Sequence, residues 1–353
     1  MAGGVGSRFW PWSRESRPKQ MLALAAQRSM VAETVARLRG VVAPQNILVV
    51  TNRRLVSAIA AELPELPRGS ILGEPAGRNT APCIGWATLE VMHRCPDAVV
   101  AVLPADHVIG PRREFCRDLL AGFEVADRSR LLVTFGIRPT APATGYGYLR
   151  AGRVLAGHCA ARHVGAFVEK PSLALAKRYI DSGRYFWNSG MFAWRADVLW
   201  RELGEHLPGL ARSLKAMERT RKPEGRGRIA RSDLDRVYPR LESISIDYGV
   251  LERSRNVAML PAGFSWSDIG SWEATAELWP LDSAGNASRD PLLAVDSKRN
   301  VVATGGKRVA LLGVNDLVIV DAGDVLLVCP RGRCQEVRSI VGRLAERGWK
   351  GLQ

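Results

Sequence analysis

The hydrophobic pattern of this chain changes period once, near Trp279-Pro280, and that change divides it into two units of different build. Before it, short β-branched runs (residues 47–51, 98–103, 131–135 and 164–168) alternate with stretches of helical periodicity (30–39, 54–63, 82–93, 114–126 and 173–182). Such alternation calls for an α/β domain with a largely parallel sheet, whose ligands sit at the carboxyl ends of the strands. After it, Leu293, Val301, Val309, Leu317 and Val325 recur every eight residues, and Val295, Ala303, Leu311, Ile319 and Leu327 follow two places on. Short strands at this spacing suit a small β-solenoid or meander. Gly305-Gly306-Lys307 and Ala322-Gly323-Asp324 supply turns, and a final helix over about residues 339–347 closes the unit. The expected domains are residues 1–280 and 281–353.

Composition narrows the function classes. At 353 residues the chain can bury a full core. It is 46% hydrophobic and 24% charged, and no apolar run approaches the ~18 residues of a membrane span. Arg8 and Trp10 fall where a secretory segment would need apolar residues, so a cytoplasmic protein without a membrane partner is expected. The net charge of +15 invites a nucleic-acid reading, yet the excess is scattered, mostly as Arg. Its densest stretch, residues 219–231, carries Arg219, Arg221, Lys222, Arg226, Arg228 and Arg231. Gly and Pro interrupt it, and it reads as a solvated loop; no nucleic-acid partner is expected. Cys83, Cys95, Cys116, Cys159, Cys329 and Cys334 include no C-x-x-C pair, so reduced, mostly buried thiols are expected. The histidines are scattered, with no visible metal cluster.

The chemistry-bearing segments begin at the first residues. Gly3-Gly4-Val5-Gly6-Ser7-Arg8 makes a loop without side-chain bulk, able to bring backbone N–H groups onto phosphate oxygens. Arg8 offers a planar fork and Lys19 a mobile point charge, with Pro11 and Pro18 stiffening the path between them. The spacing is neither a P-loop nor a dinucleotide fingerprint. Within Glu74-Pro75-Ala76-Gly77-Arg78-Asn79-Thr80-Ala81-Pro82, Asn79 or Thr80 can cap the next helix or face a polar ligand. Asp106, ending Leu103-Pro104-Ala105-Asp106-His107, is either a loop cap or a Mg²⁺ ligand; Asp268 in Ser265-Trp266-Ser267-Asp268 is a second candidate acid. Gly145-Tyr146-Gly147-Tyr148 is a turn or a sugar contact, and Glu169-Lys170 is a surface ion pair or a pair for sugar hydroxyl and phosphate. Asn188, in Trp187-Asn188-Ser189-Gly190-Met191-Phe192, suits hydroxyls, and Asp247 equally suits a helix cap.

In this order, across roughly residues 2–275, these segments resemble the sugar-nucleotide pyrophosphorylases. The Trp10-Pro11, Ser13-Arg14-Glu15 and Pro18-Lys19-Gln20 form is similar to that of mannose-1-phosphate guanylyltransferases. The resemblance implies a Rossmann-like nucleotidyltransferase domain with a mostly parallel sheet. It also implies a β-helix-like C-terminal domain that helps subunits associate, in a homodimer. The implied substrates are GTP and mannose 1-phosphate, the products GDP-mannose and pyrophosphate, and the cofactor Mg²⁺. Arg8 and Lys19 would then serve the triphosphate and the leaving group. Gly3, Gly4, Gly6, Glu74, Arg78, Asn79 and Thr80 would surround the nucleotide, with Glu74 near the base. Asp106 and Asp268 would hold the metal, and Gly145, Gly147, Glu169, Lys170 and Asn188 the sugar phosphate. Another sugar or base in the same chemistry, a non-catalytic regulatory relative and a basic nucleic-acid binder are the competing readings.

One departure stands out. In the resembled family the glycine loop follows a buried strand, whereas only Met1 and Ala2 precede Gly3 here. A missing first strand, and a loop short of support, are therefore expected. About 70 residues follow Pro280, too few for the isomerase domain some relatives add, so a single activity is expected.

Overall fold

In the computed structural model, which describes residues 1–4, 6–221, 229–344, 346–349 and 351–352, the first unit is built on one long twisted sheet. Strands β1 (Val49–Asn52) and β2 (Ile71–Glu74) pair in parallel. Strands β3 (Val99–Val102), β4 (Val108–Gly110), β5 (Leu132–Ile137), β6 (Gly147–Leu155), β7 (His158–Glu169), β8 (Tyr185–Arg195), β9 (Val257–Pro261) and β10 (Ser265–Ser267) follow in the chain. Six of them form a sheet in the order β3-β8-β5-β9-β7-β6. β8 runs antiparallel to both β3 and β5, so those two point the same way, and β9 lies parallel to β5. β7 is antiparallel to β9 and to β6.

Met1 and Ala2 stand between β1 and β3, where a first strand is expected. Ala2 bridges Thr51 in parallel and donates its N–H to the Val50 carbonyl at 2.7 Å. The Met1 ammonium donates to the Leu103 carbonyl at 2.8 Å, and the Ala105 N–H to the Met1 carbonyl at 2.9 Å. Thr51 Oγ1 and Gln20 Nε2 both donate to the Ala2 carbonyl. Through these two residues β1, β2, β3, β5, β6 and β9 share one direction, and only β7 and β8 oppose it. The mostly parallel sheet is thus observed.

Helices α1 (Met30–Arg37), α2 (Val56–Glu62), α3 (Thr80–Met92), α4 (Arg112–Ser129) and α5 (Leu173–Asp181) coincide with the helical periodicities of the sequence. Helices α6 (Ala196–His206), α7 (Pro208–Glu218) and α8 (Arg231–Val237) come after β8. Lys222, Arg226 and Arg228 of the basic stretch lie outside the described residues. Val31, Ile59, Phe115 and Leu119 fill one side of the sheet; Trp86, Leu89, Leu199, Leu203 and Leu214 fill the other. Two helical layers therefore sandwich the sheet, as helices with one apolar stripe require.

After helix α9 (Trp272–Thr275) the chain enters a coil of short strands: β11 (Ala287–Ser288), β12 (Leu292–Val295), β13 (Val301–Ala303), β14 (Val309–Leu312), β15 (Leu317–Asp321) and β16 (Leu326–Pro330). Helix α10 (Val337–Leu344) follows a 3₁₀ turn at Arg331–Glu336. Leu292 pairs in parallel with Val309, and Val301 with Val318, so these coils take 17 residues and two strands, whereas Ala287 pairs with Val301 after 14. The eight-residue recurrence is half a coil. It does not mark inward positions throughout: Val301 is fully buried, whereas Leu293 is 66% exposed. Buried Asn300 donates its amide to Asn286 Oδ1 and the Val314 carbonyl, tying successive coils together. Phe9, Trp10, Leu24 and Trp272 share one apolar cluster with Val301, Val318, Val337 and Leu344, so the coil is packed onto the glycine-loop segment.

No helix among the described residues is long and apolar enough to cross a membrane. The thiols are less buried than expected: Cys83 and Cys334 are buried, Cys116 and Cys329 intermediate and Cys95 exposed, all free. One histidine stands beside two acids. Glu202, Glu205 and His206 cluster at the end of α6, because residues three and four apart share a helix face. Glu202 there accepts from Asn256 Nδ2 at 2.7 Å and faces His206 Nε2 at 3.4 Å.

Candidate active site

The first constellation lies at the carboxyl ends of the parallel strands. Ala2 runs into the glycine loop, β2 ends on Glu74, and β3 leads directly to Asp106. Gly6 adopts φ +68°, and a Cβ there would lie 2.4 Å from Lys19 Cβ, so only glycine permits the approach. The loop is thereby folded against Lys19, which is 6% exposed. Lys19 Nζ donates to Asp106 Oδ2 at 3.0 Å and also to the Asp268 carbonyl. Asp268 is delivered by an antiparallel ribbon, β4 with β10, in which Ser267 pairs with Val108. Two acids far apart in sequence thus meet in a cavity of about 290 Å³, lined by Gly6, Arg8, Lys19, Asp106, Asp268 and Arg338 among others. Arg8 is exposed and reaches the Gly270 carbonyl at 3.5 Å.

Burial alone would raise the Asp106 pKa, but the Lys19 charge and the hydrogen bond from Lys19 prevail and hold it below the ordinary carboxylate value. Burial lowers His107. Its Nδ1 accepts from Trp266 Nε1 at 3.0 Å, which places the ring proton on Nε2, 3.9 Å from Asp106 Oδ1. Asp268 Oδ1 accepts the Tyr146 hydroxyl at 2.7 Å. Burial, and then the Asp268 charge, push the Tyr146 pKa far up, so it stays a donor. The donor set fits a hard divalent cation: two carboxylates open to one cavity, with Asp106 kept ionised.

The second constellation is made by strand register. Gly147 pairs with Glu169 across β6 and β7, and Asn188 of β8 pairs with Gly136 of β5. A Cβ on Gly147 would lie 2.4 Å from Glu169 Oε2, so glycine here admits the carboxylate. Glu169 Oε1 pairs with Lys170 Nζ at 3.1 Å; Glu169 is 12% and Lys170 58% exposed. Asn188 Oδ1 accepts from Thr134 Oγ1 at 2.9 Å, and its Nδ2 donates to Asp247 Oδ1 at 2.8 Å. The amide is thereby oriented, and among the described residues its second Nδ2 hydrogen has no partner. Asp247 opens a π-helical turn, Asp247–Leu251, without capping it. Burial and then the nearby Glu169 charge raise its pKa to about 6. Gly145 has open space around it.

Tyr146 joins the two constellations. Its ring packs edge-on against Trp187 at 5.0 Å and Trp266 at 5.2 Å, while its hydroxyl holds Asp268.

The Glu74 segment is partly structural. Glu74 is 6% exposed and its Oε1 accepts from Tyr238 at 2.5 Å; burial raises its pKa to about 6. Its Oε2 faces Gly3, 3.9 Å from where a Cβ would stand. Asn79 caps α3 by accepting from the Thr80 N–H, Thr80 Oγ1 accepts from the Ile246 N–H, and Arg78 donates to the Pro239 carbonyl. His107 and Arg338 are the residues sequence reasoning gave no role; Tyr146 entered only as part of its glycine-flanked segment, and Asp247 with a helix cap as its equal alternative. The aromatic in Gly145-Tyr146-Gly147 and the acid at Asp247 were visible signals; Arg338 had none.

The sequence matches the model of the nucleotidyl transferase family over residues 1–285, and that of the MannoseP isomerase/GMP-like beta-helix domain over residues 290–344. It is 38% identical to a mannose-1-phosphate guanylyltransferase of Salmonella montevideo, covering 98% of this chain and 73% of that protein. It is 39% identical to the xanthan biosynthesis protein XanB of Xanthomonas campestris pv. campestris, covering 99% and 73%. Among solved structures, one described as mannose-1-phosphate geranyltransferase, from Thermus thermophilus, superposes with a TM-score of 0.87 at 34% identity, covering 98% of each chain.

Proposed function

The chain belongs to the nucleotidyl transferase family, and from that premise we propose that it transfers GMP from GTP to mannose 1-phosphate, forming GDP-mannose and pyrophosphate. One observation carries the chemistry. Lys19, Arg8 and two carboxylates share a cavity that Tyr146 links directly to the Glu169–Asn188–Asp247 pocket. The names of the relatives supply the base and the sugar.

A phosphate oxygen of mannose 1-phosphate attacks the α-phosphorus of GTP, the bond from that phosphorus to the β-phosphate oxygen breaks, and pyrophosphate leaves. The nucleophile is already an anion, so catalysis is positioning and charge neutralisation. Glycine-loop N–H groups, Arg8 and Lys19 bind the triphosphate. Lys19 is fixed in advance by Asp106 and the Asp268 carbonyl, so its ammonium needs little reorganisation. Asp106 and Asp268 would hold Mg²⁺, which would supply charge neutralisation to the phosphates when bound. Glu169 and Asp247 accept from sugar hydroxyls, the second Asn188 hydrogen donates to one, and Lys170 meets the sugar phosphate. Glu74 Oε2, which faces Gly3, is assigned as the acceptor for guanine N–H groups.

The test is direct. Purified chain with GTP, mannose 1-phosphate and Mg²⁺ should release pyrophosphate and GDP-mannose in equal amounts. ATP, UTP or glucose 1-phosphate should be used at least tenfold less efficiently. Pyrophosphate release with another pair preferred would replace the base or the sugar in this assignment; no release with any pair would leave a non-catalytic relative. We further infer a homodimer through the outer face of β12 and β14, where Leu293, Val295 and Leu312 are 66%, 47% and 75% exposed. Leu312→Asp should convert a sedimenting dimer to monomer; an unchanged oligomer would move the interface elsewhere.

A further inference from the structure

We propose that Arg338 of the C-terminal unit is a third cation of the triphosphate site, binding the β- and γ-phosphates and the pyrophosphate they become. Arg338 lines the same cavity as Gly6, Ser7, Arg8, Lys19, Asp106 and Asp268, although it lies beyond the coil on helix α10. Its position is fixed by its neighbours rather than by the cavity. Val337 is 2% exposed, Cys334 1% and Leu344 3%, all in the cluster that contains Phe9 and Trp10 of the glycine-loop segment. Trp10 Nε1 also donates to the Leu352 carbonyl at 2.7 Å, tying the end of the chain to the same segment.

Arg338 itself is exposed and has no hydrogen-bond or ion-pair partner among the described residues, whereas nearby Arg333 is engaged by Glu336. The first turn of α10 carries no acid. A cation there is on the disfavoured end of the helix dipole. An unpaired guanidinium at such a place, facing a cavity that already holds Arg8 and Lys19, contributes nothing evident to folding. It is matched in charge and fork geometry to a bound polyphosphate. The coil then does more than cover apolar surface: it carries part of the active site.

This inference rests on the guanylyl-transfer reading, and calorimetric binding of inorganic pyrophosphate to the full chain keeps the two separable. Arg338→Ala should weaken pyrophosphate binding roughly 5- to 20-fold, the range for a charge-assisted contact discounted for exposure. KM for GTP should rise by a similar factor, with KM for mannose 1-phosphate and the melting temperature unchanged. Arg338→Lys should recover part of the loss, and the difference between variant and parent should shrink in high salt. Pyrophosphate affinity within twofold of the parent overturns the proposal, as does a fall in melting temperature with equal damage to both substrates. Failure of the parent chain to form GDP-mannose while it binds pyrophosphate Arg338-dependently would overturn the transfer reading alone.

Discussion

On the phosphate side of the cleft the working groups sit on loops and are held by charge; on the sugar side they sit in strands and are held by register. Lys19, Asp106 and the Asp268 carbonyl fix one another, and the backbone around them is turn and ribbon. Glu169, Asn188 and Gly147 instead belong to β7, β8 and β6, with Thr134 of β5 orienting the amide. A charge-held loop tolerates a change of side chain with little loss of fold. A strand-held pocket cannot change shape without disturbing the sheet beneath it. The two halves should therefore answer mutation differently, the first in activity alone and the second in activity and stability together.

The largest effect is expected on the charged half. Asp106→Asn and Asp268→Asn should each lower turnover at limiting Mg²⁺ by about 100-fold or more, because each leaves the metal short of an anionic ligand. Asp268→Asn should shift the melting temperature by only a few degrees. Near-normal turnover in both would remove the carboxylates from the mechanism.

The strand-held half is probed next by Gly147→Ala. The new Cβ would run into Glu169 Oε2, the mobile end of that side chain, and force the carboxylate out of its place. A raised KM for mannose 1-phosphate is expected, with a stability cost of about 1 kcal/mol at most. Gly145→Ala, with open space around it, should leave stability unchanged. Equal behaviour of the two variants would mean that register does not shape this pocket.

The smallest effect is a pH dependence. The Asp247 pKa is raised to about 6 by burial and Glu169, so the native state holds this proton more tightly than the unfolded chain. The associated stability is complete below the ordinary carboxylate value and lost as pH rises through about 6. Asp247→Asn should thus match the parent near pH 4 and exceed it by about 1 kcal/mol at pH 8. A gap that does not vary between those pH values would show that Asp247 is not held out of water beside Glu169.

What could be read from sequence follows the same division. The loop half is written in contiguous segments, so Arg8, Lys19, Asp106 and Asp268 were all legible and meet in one cavity. The register half was legible only as isolated residues. Strand β8 escaped because, buried on both faces by Phe192, Trp194 and Ala193, it lacks alternation. For Asp247 a helix cap and a polar contact stayed equal alternatives, because an acid ahead of a turn suits either; its engagement by Asn188 depends on β8. The Asn79 and Thr80 alternatives could not be separated before the Thr80–Ile246 contact was seen. In the C-terminal unit, strand spacing was legible, whereas which residues point inward was not: a coil of two strands turns Leu293 outward and Val301 inward at the same phase. Arg338 needed the packing of α10 on the glycine-loop segment, which no local pattern encodes.

The division itself is tested most directly by measuring KM for both substrates in Lys19→Ala and Lys170→Ala. Each lysine is assigned a different phosphate, and a charge-assisted contact is worth about 1.5–3 kcal/mol, or roughly 10- to 150-fold. Lys19→Ala should raise KM chiefly for GTP, and Lys170→Ala chiefly for mannose 1-phosphate. If both substitutions raised the same KM, or if Lys19→Ala spared GTP, the cleft would not be divided into the two halves described.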